Sequence, residues 1–280
     1  MAEGDTIHRN AARIAAAFGD LPLVEASAPS PRSPLRLQRD RLRSLIGRRL
    51  ERADAHGKHL FLRFEGGLTL HAHQGVSGRW HVHERTGTRR SPLGGAWVVL
   101  ATETAVAAEF GGPRLALRTE AELRADTRLR RLGPDILGSD FTPDMGLAAV
   151  RAADQRRQLG ELLLDQTVIA GIGNVYKCEA CFAAAADPWL PVGRVSDRTL
   201  RSVLAEAAQM METGRRTRSR PHRVYRQTSR PCPRCGTRVR SRGQGDANRI
   251  TYWCPRCQSE ESGATRSGGL AAAVPSPRKQ

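Results

Sequence analysis

Two cysteine pairs carry the plainest chemistry in this chain. Cys232 and Cys235 form one C-x-x-C and Cys254 and Cys257 a second, with eighteen residues between them. A C-x-x-C turn aims two sulfurs at one ion, and a second turn closes the tetrahedron. The spacing therefore predicts a zinc ribbon holding one Zn2+. With thiolates in all four positions no place is left for water, so the expected metal is structural. Two disulfides are the competing reading, but nothing else in the chain points to secretion. A third C-x-x-C, Cys178 and Cys181, falls inside a predicted helix whose geometry suits a knuckle poorly. Two buried, small apolar residues are expected there.

The N-terminus offers a nucleophile. Ala2 is small, so removal of Met1 is chemically plausible and leaves a free α-amine beside the carboxylate of Glu3. An α-amine has an ordinary pKa of about 7.7–8.0, and a helix start disfavours its positive form. Part of it is then neutral and nucleophilic near neutral pH. Spacing alone leaves open that this is only a chain end. Lys58 stands out because the chain strongly prefers Arg: of 45 basic residues only Lys58, Lys177 and Lys279 are lysines. Coding bias explains most of that preference, yet an internal Lys can mark a need for a compact ammonium. His71 with His73, and His81 with His83, are His-x-His pairs without a third ligand at metal spacing. Phosphate contacts or surface positions are expected for them. Gly171-Ile-Gly173-Asn174 lies between two helical patterns, where exposed N–H groups at a helix start form an anion site that the Asn174 amide can join.

These residues need elements to hold them. Glu3 to Phe18 reads as a helix, with Ile7, Ala11, Ile14, Ala15 and Phe18 on one stripe. Residues 27–41, rich in Pro, Ser and Arg, read as a surface loop. Leu60, Leu62 and Phe64 alternate with Phe61 and Arg63, Gly66-Gly67 offers a hairpin turn, and Leu68, Leu70 and Ala72 continue the pattern. Residues 97–100 and 115–117 read as further strands, giving a mostly β first domain that ends near residue 125. Beyond Gly133-Pro134-Asp135 the pattern is helical, with Thr142-Pro143 as a helix start and Leu159, Leu162 and Leu163 marking an apolar side. Leu200, Val203, Leu204, Ala207, Ala208 and Met211 form another stripe, which Gly214 is expected to stop. Arg215 to Arg226 reads as a solvated basic linker, and 261–280 as a disordered tail.

The formal charge of +17 argues for a polyanionic partner bound more weakly as salt rises. No apolar run is long enough to span a membrane, and no charged-then-apolar leader opens the chain. The thiols favour a reducing, cytosolic setting.

The order of these features closely resembles the bacterial formamidopyrimidine-DNA glycosylase and endonuclease VIII family. The matching stretches are Ala2-Glu3-Gly4-Asp5-Thr6, His56-Gly57-Lys58, Gly133-Pro134-Asp135, Leu162 to Gln166, Gly171 to Tyr176, Val224-Tyr225, and Arg249 to Gln258. They span residues 2–258, and the opening motif with Tyr252-Trp253-Cys254 is more similar to the endonuclease VIII branch. The resemblance implies an α+β multidomain fold. It comprises an N-terminal β-sandwich with an N-terminal helix (2–125), a helix–two-turn–helix domain (131–222) and a C-terminal zinc ribbon (224–260). It implies a DNA repair glycosylase with abasic-site lyase activity on oxidised bases, pyrimidines favoured, acting on damaged double-stranded DNA. A cytoplasmic, nucleoid-associated monomer is expected. Ala2 would attack C1′ of a flipped nucleotide, Glu3 would handle protons at the sugar, and Lys58, matching the family's strand lysine, would contact the adjacent phosphate. Asn174 and Arg249 would grip phosphates. Val76, in His73-Gln-Gly-Val76, would enter the vacated stack as a short wedge, with His73 beside it on the DNA.

Two departures stand out. The family's usual nucleophile is proline, whose secondary amine gives an iminium that cannot lose its charge. Ala2 gives an imine that must be protonated to match it, which slows the lyase step. Thr6 stands where many members carry Glu. A lesion-binding paralogue without turnover is thus a second reading. A zinc-ribbon transcription or ribosomal factor is a third, and it leaves Glu3, Lys58 and the Gly-Ile-Gly-Asn turn unexplained.

Overall fold

The computed structural model describes residues 2–75, 77–85 and 93–259. The expectations for Val76 and for the 261–280 tail fall outside the described residues. Helix α1 (Gly4–Phe18) carries most of the expected stripe: Ile7, Ala11, Ile14 and Phe18 are buried, whereas Ala15 is exposed. It packs on a two-sheet sandwich. One antiparallel sheet has the order β1 (Glu25–Ser27), β6 (Val98–Ala101), β7 (Ala105–Phe110) and β5 (Arg79–Glu84). The other runs β2 (Leu50–His56), β3 (His59–Phe64), β4 (Leu68–His73) and β8 (Arg114–Thr119). Alternation places Leu60, Leu62, Phe64, Leu70, Leu115 and Leu117 inward, where they share one core with the α1 stripe. Each such side chain contributes about 1.5–3 kcal/mol by leaving water. Ala2 packs against this core, which fixes where the chain begins.

The structure changes three local expectations in this unit. Residues 27–41 are not wholly loop: a 3-10 turn, Pro34–Gln38, is capped by Ser33 and runs into α2 (Arg39–Arg43), burying Leu35 and Leu42. Proline in the first turn and a serine cap are helix-start signals that the composition hides. Lys58 is not in a strand but in the two-residue turn joining β2 and β3, after Gly57 at φ +56°. His71 is buried rather than at the surface, with its Nε2 2.9 Å from Nδ1 of His59 and its ring stacked on Phe61.

Short helices α3 (Glu120–Ala125) and α4 (Thr127–Arg130) lead to the second unit. There α5 (Pro143–Ala152), capped by Thr142, the single turn α6 (Leu159–Leu162), α7 (Asn174–Ala183) and α8 (Asp197–Thr217) enclose a separate apolar core. Gly214 does not stop α8, which continues to Thr217 and ends at Arg218 with φ +62°. The glycine serves packing instead: a Cβ there would lie 2.2 Å from the Tyr176 hydroxyl. The third unit is a hairpin of β9 (Arg240–Gln244) and β10 (Arg249–Trp253) between the two cysteine pairs. Among the described residues no helix is long and apolar enough to cross a membrane.

Candidate active site where the three units meet

Glu3 is the N-cap residue of α1, yet its side chain serves another helix. The carboxylate accepts the Val175 N–H at 3.0 Å and the Tyr176 N–H at 3.5 Å, at the start of α7. A carboxylate is favoured there because the free N–H groups and the macrodipole both attract an anion. The fit needs Gly173, since a Cβ on it would lie 2.2 Å from Glu3 Cδ. The preceding turn is braced: Gln166 accepts the Gly171 N–H at 2.9 Å and donates to the Ile172 carbonyl at 3.1 Å. Gly4 N–H donates to the Gly171 carbonyl at 3.0 Å. Thus residues as far as 173 positions apart in sequence hold the start of α1 in one place.

Lys58 reaches the same cleft. Its turn packs on Ala170 and Gly171, which leave no room for a Cβ at Gly57. Burial pulls the Lys58 ammonium down to about 8; Glu3 opposes the fall and Arg249 adds to it. Glu3 shifts up from the usual carboxylate range because burial outweighs Lys58 and the Val175 N–H. Burial therefore moves the two groups towards each other, Glu3 up and Lys58 down, a pattern suited to proton transfer.

A cavity of about 610 Å³ is lined by Lys58, Gly173, Asn174, Gln244 and Arg249. The zinc hairpin supplies Arg249 at the first position of β10, with its side chain exposed. Asn174 Nδ2 donates to the Ile250 carbonyl at 2.8 Å, tying α7 to that strand. Its Oδ1 is buried without a hydrogen-bond partner. Buried Lys177 donates to Thr251 Oγ1 at 2.6 Å, and Thr251 donates to Gln244 Oε1 at 2.6 Å. Glu179, also buried, accepts the N–H groups of Arg223, Val224 and Tyr225 at 2.8–3.0 Å. The hairpin is therefore locked to α7 through polar contacts.

At its far end the hairpin rests on the four cysteines, whose ligand atoms all lie within 4.8 Å of one another. Cys232 and Cys257 sulfurs are 3.9 Å apart and those of Cys235 and Cys254 3.5 Å. A tetrahedron with Zn–S bonds of about 2.3 Å has edges of about 3.8 Å, so the set fits one zinc ion. No disulfide links them. Cys178 and Cys181 are fully buried in α7, as expected of small apolar residues.

His73 closes β4 with its ring 4.7 Å from that of His59 and its Nδ1 buried without a partner. Burial first, then the Lys58 charge, lowers its pKa, which keeps the ring neutral.

The basic run contains a residue that composition could not single out. Arg220 is not a solvated linker residue: its Nε donates to Asp5 Oδ2 at 3.0 Å and its Nη2 to Thr6 Oγ1 at 2.7 Å. The Tyr176 hydroxyl donates to the same Asp5 oxygen at 3.0 Å. Against the cost of burial, Asp5 pushes the Arg220 pKa up. Arg220 thus clasps the first turn of α1 from the segment after α8. Lys177 was findable by the argument that singles out Lys58, since it too is a lysine in an arginine-rich chain.

Family models cover this architecture in order. Residues 1–124 match the formamidopyrimidine-DNA glycosylase N-terminal domain, 132–222 the H2TH domain of that enzyme, and 229–259 the zinc finger found in FPG and IleRS. The chain is 42% identical to a probable endonuclease 8 2 of Streptomyces coelicolor over 98% of this chain and 99% of that one. It is 34% identical to the DNA-(apurinic or apyrimidinic site) lyase Nei2 of Mycolicibacterium smegmatis, covering 92% and 99%. Its fold is similar to that of Lactococcus lactis formamidopyrimidine-DNA glycosylase bound to abasic-site DNA, with a TM-score of 0.77 at 17% identity, covering 92% and 100%. With a buried carboxylate beside the N-terminus, a cationic cleft and a four-cysteine hairpin all in register with these matches, the chain belongs to the formamidopyrimidine-DNA glycosylase and endonuclease VIII family.

Proposed function

We propose that this protein is a DNA glycosylase and abasic-site lyase that removes oxidised bases, pyrimidines favoured, from double-stranded DNA. The observation that carries the reading is Glu3: a fully buried carboxylate, one residue from Ala2, held on the α7 start and coupled to Lys58. A catalytically silent binding protein has no need of such a group, so the non-catalytic reading is not favoured. The ribosomal or transcription-factor reading fails to account for the first two domains.

The steps follow from the groups present. With Met1 removed, the Ala2 amine attacks C1′ of a flipped nucleotide, the glycosidic bond breaks, and the sugar ring opens to a protonated imine. Glu3, its carboxyl raised by burial, exchanges protons with the ring oxygen. The imine acidifies the C2′ hydrogen, and loss of that proton expels the 3′ phosphate. Lys58, Asn174 and Arg249 hold phosphates beside the nucleotide, and His73 borders the strand near them. Val76 fills the vacated stack. The four thiolates hold zinc, which when bound supplies rigidity to the hairpin that carries Arg249. The working units are 2–125, 131–222 and 224–260, followed by the 261–280 tail, acting as one monomer in the cytoplasm near the nucleoid.

The test is covalent trapping. Protein with Ala2 confirmed as its first residue is mixed with abasic-site duplex and borohydride. An adduct that disappears when an extra residue blocks the amine supports the reading; tight binding without adduct or nicking refutes it.

A further inference from the structure

A second cavity stands apart from the cleft. It is a groove of about 300 Å³ in the first unit, between β1 with the residues after it and the helical segment 34–43. Buried Ala26 and Leu42 form its floor with Ala28, and exposed Arg36, Arg39 and Arg43 form its rim. Steps of three and four residues place these arginines on one side of the segment. Among the described residues none of the three guanidiniums has a hydrogen bond or an ion pair. Arg41, on the same helix, is paired with Glu122 at 3.0 Å instead. Glu25 and Asp40 do not line the groove, and Glu25 already accepts the Ser27 hydroxyl at 2.9 Å. Leu37, in the same 3-10 turn as Arg36, is 93% exposed, the most exposed large apolar side chain among the described residues. The groove shares no lining residue with the cleft, and the elements around it supply none of the site residues.

Like charges gathered without acids disfavour one another, and an anionic partner relieves them. An apolar floor asks for side chains as well as charge. A duplex brings phosphates to such a surface but nothing to fill the floor. A second copy of this chain carries the same excess of +17 and is repelled. The chain's own 260–280 stretch sets Glu260 and Glu261 against Arg266, Arg278 and Lys279, so it does not complement the rim. β1 pairs with β6 on one side only, and the main-chain groups of an edge strand can bond an added extended segment. We infer that this groove docks an extended acidic peptide segment of another protein. Successive side chains of an extended chain point to opposite sides. A segment that alternates acidic with aliphatic residues therefore sets carboxylates on Arg36, Arg39 and Arg43 and an aliphatic group on Ala26 and Leu42. Guanidinium–carboxylate pairs give the contact its direction, and Leu37 extends its apolar part. Because the groove lies outside the cleft, the partner stays attached while DNA is bound.

The test uses the full chain and two fluorescein-labelled synthetic peptides of equal length, one alternating Glu with Leu and the other Lys with Leu. Binding is read by anisotropy with and without a saturating, short abasic-site duplex, and deuterium uptake locates the bound peptide. The acidic peptide should bind at least about tenfold tighter than the lysine peptide, the scale of one charge-assisted hydrogen bond. It should bind equally well with the duplex present and should protect residues 25–29 and 34–43 from exchange. Arg39→Glu combined with Arg43→Glu should weaken the acidic peptide at least about tenfold and strengthen the lysine peptide, with duplex affinity unchanged. That reversal of preference is a result that general loss of structure cannot produce. The inference fails if the acidic peptide does not bind, if the duplex displaces it, or if the double variant keeps the preference of the wild type. It fails equally if the variant binds duplex more weakly with a salt slope lowered by about one per arginine, since these residues then hold phosphates.

Discussion

Replacing Gly173 by Ala tests whether the glycine exists to seat Glu3. The added Cβ would lie 2.2 Å from Glu3 Cδ and 2.5 Å from Oε1. Ordinary carbon contacts begin near 3.5 Å, so one side must move by about 1.3 Å. The α7 backbone is pinned by Gly4, Gln166 and the hairpin, which makes the Glu3 side chain the part that yields. Moving it breaks the 3.0 Å bond from Val175 and shifts the carboxylate away from the reacting sugar. A misplacement of about 1 Å typically costs about 100-fold in rate. Overpacking costs about 1–3 kcal/mol of stability, a fall in Tm of roughly 2–12 °C for a chain of this size. Excision of an oxidised pyrimidine should therefore drop about 100-fold in a protein that remains folded at 25 °C. Gly94→Ala, with open space around its Cβ, should match the wild type. In a Glu3→Gln background Gly173→Ala should add little, since both changes remove the same group. Excision by Gly173→Ala within threefold of the wild type would refute the reasoning.

Other consequences can be checked separately. Because Lys58 has a pKa near 8, affinity for abasic-site duplex should fall by up to about tenfold as pH rises from 7 to 9, measured by anisotropy. Lys58→Arg stays charged and should hold its affinity across that range; parallel curves would remove Lys58 from the phosphate site. Stripping zinc should weaken DNA binding by about 10–100-fold through loss of the Arg249 contact, with recovery on adding Zn2+, and normal binding by the zinc-free protein would contradict this. Glu109 is fully buried in β7 with both carboxylate oxygens unpaired, and burial raises its pKa well above the ordinary 4.5. A raised carboxyl pKa favours the fold below pH 4.5 and weakens it as pH climbs towards the folded value. The stability advantage of Glu109→Gln should thus grow by about 1.4 kcal/mol, or roughly 3–6 °C, per pH unit in that window. A gap between the two melting curves that does not change with pH would show that Glu109 does not titrate there.

Local signals were legible in the sequence, and distant partnerships were not. The cysteine spacing, the α1 stripe and the β3–β4 alternation each arise from a period or a turn of a few residues, which sequence displays directly. Arg220 and Asp5 are 215 residues apart, and no period links them. Within a run of arginines, Arg220 has the same composition signal as its solvated neighbours. Gly214 misled for a related reason: glycine commonly ends a helix, but here a crowded crossing with Tyr176 and Asp5 demanded the smallest side chain. The position of Lys58 shows a finer limit. Its neighbours alternate like a strand, and only pairing of His56 with His59 reveals the turn.

The same long-range contacts explain why no single unit can hold this site. The first unit supplies Ala2, Glu3 and Lys58, but the Glu3 carboxylate takes its hydrogen bonds from N–H groups of α7. The second supplies Asn174, but its amide is tied to β10. The third supplies Arg249, but its hairpin is held by Lys177 and by the four cysteines. Each unit leaves a buried polar group that costs about 1–3 kcal/mol if the neighbouring unit withdraws. Docking of the three is therefore favoured by the groups that make the site, and a loosened hairpin would be felt at α7 and through it at Glu3. Zinc, which meets no reacting atom, then affects chemistry at the opposite end of the chain by holding the strand to which Asn174 donates.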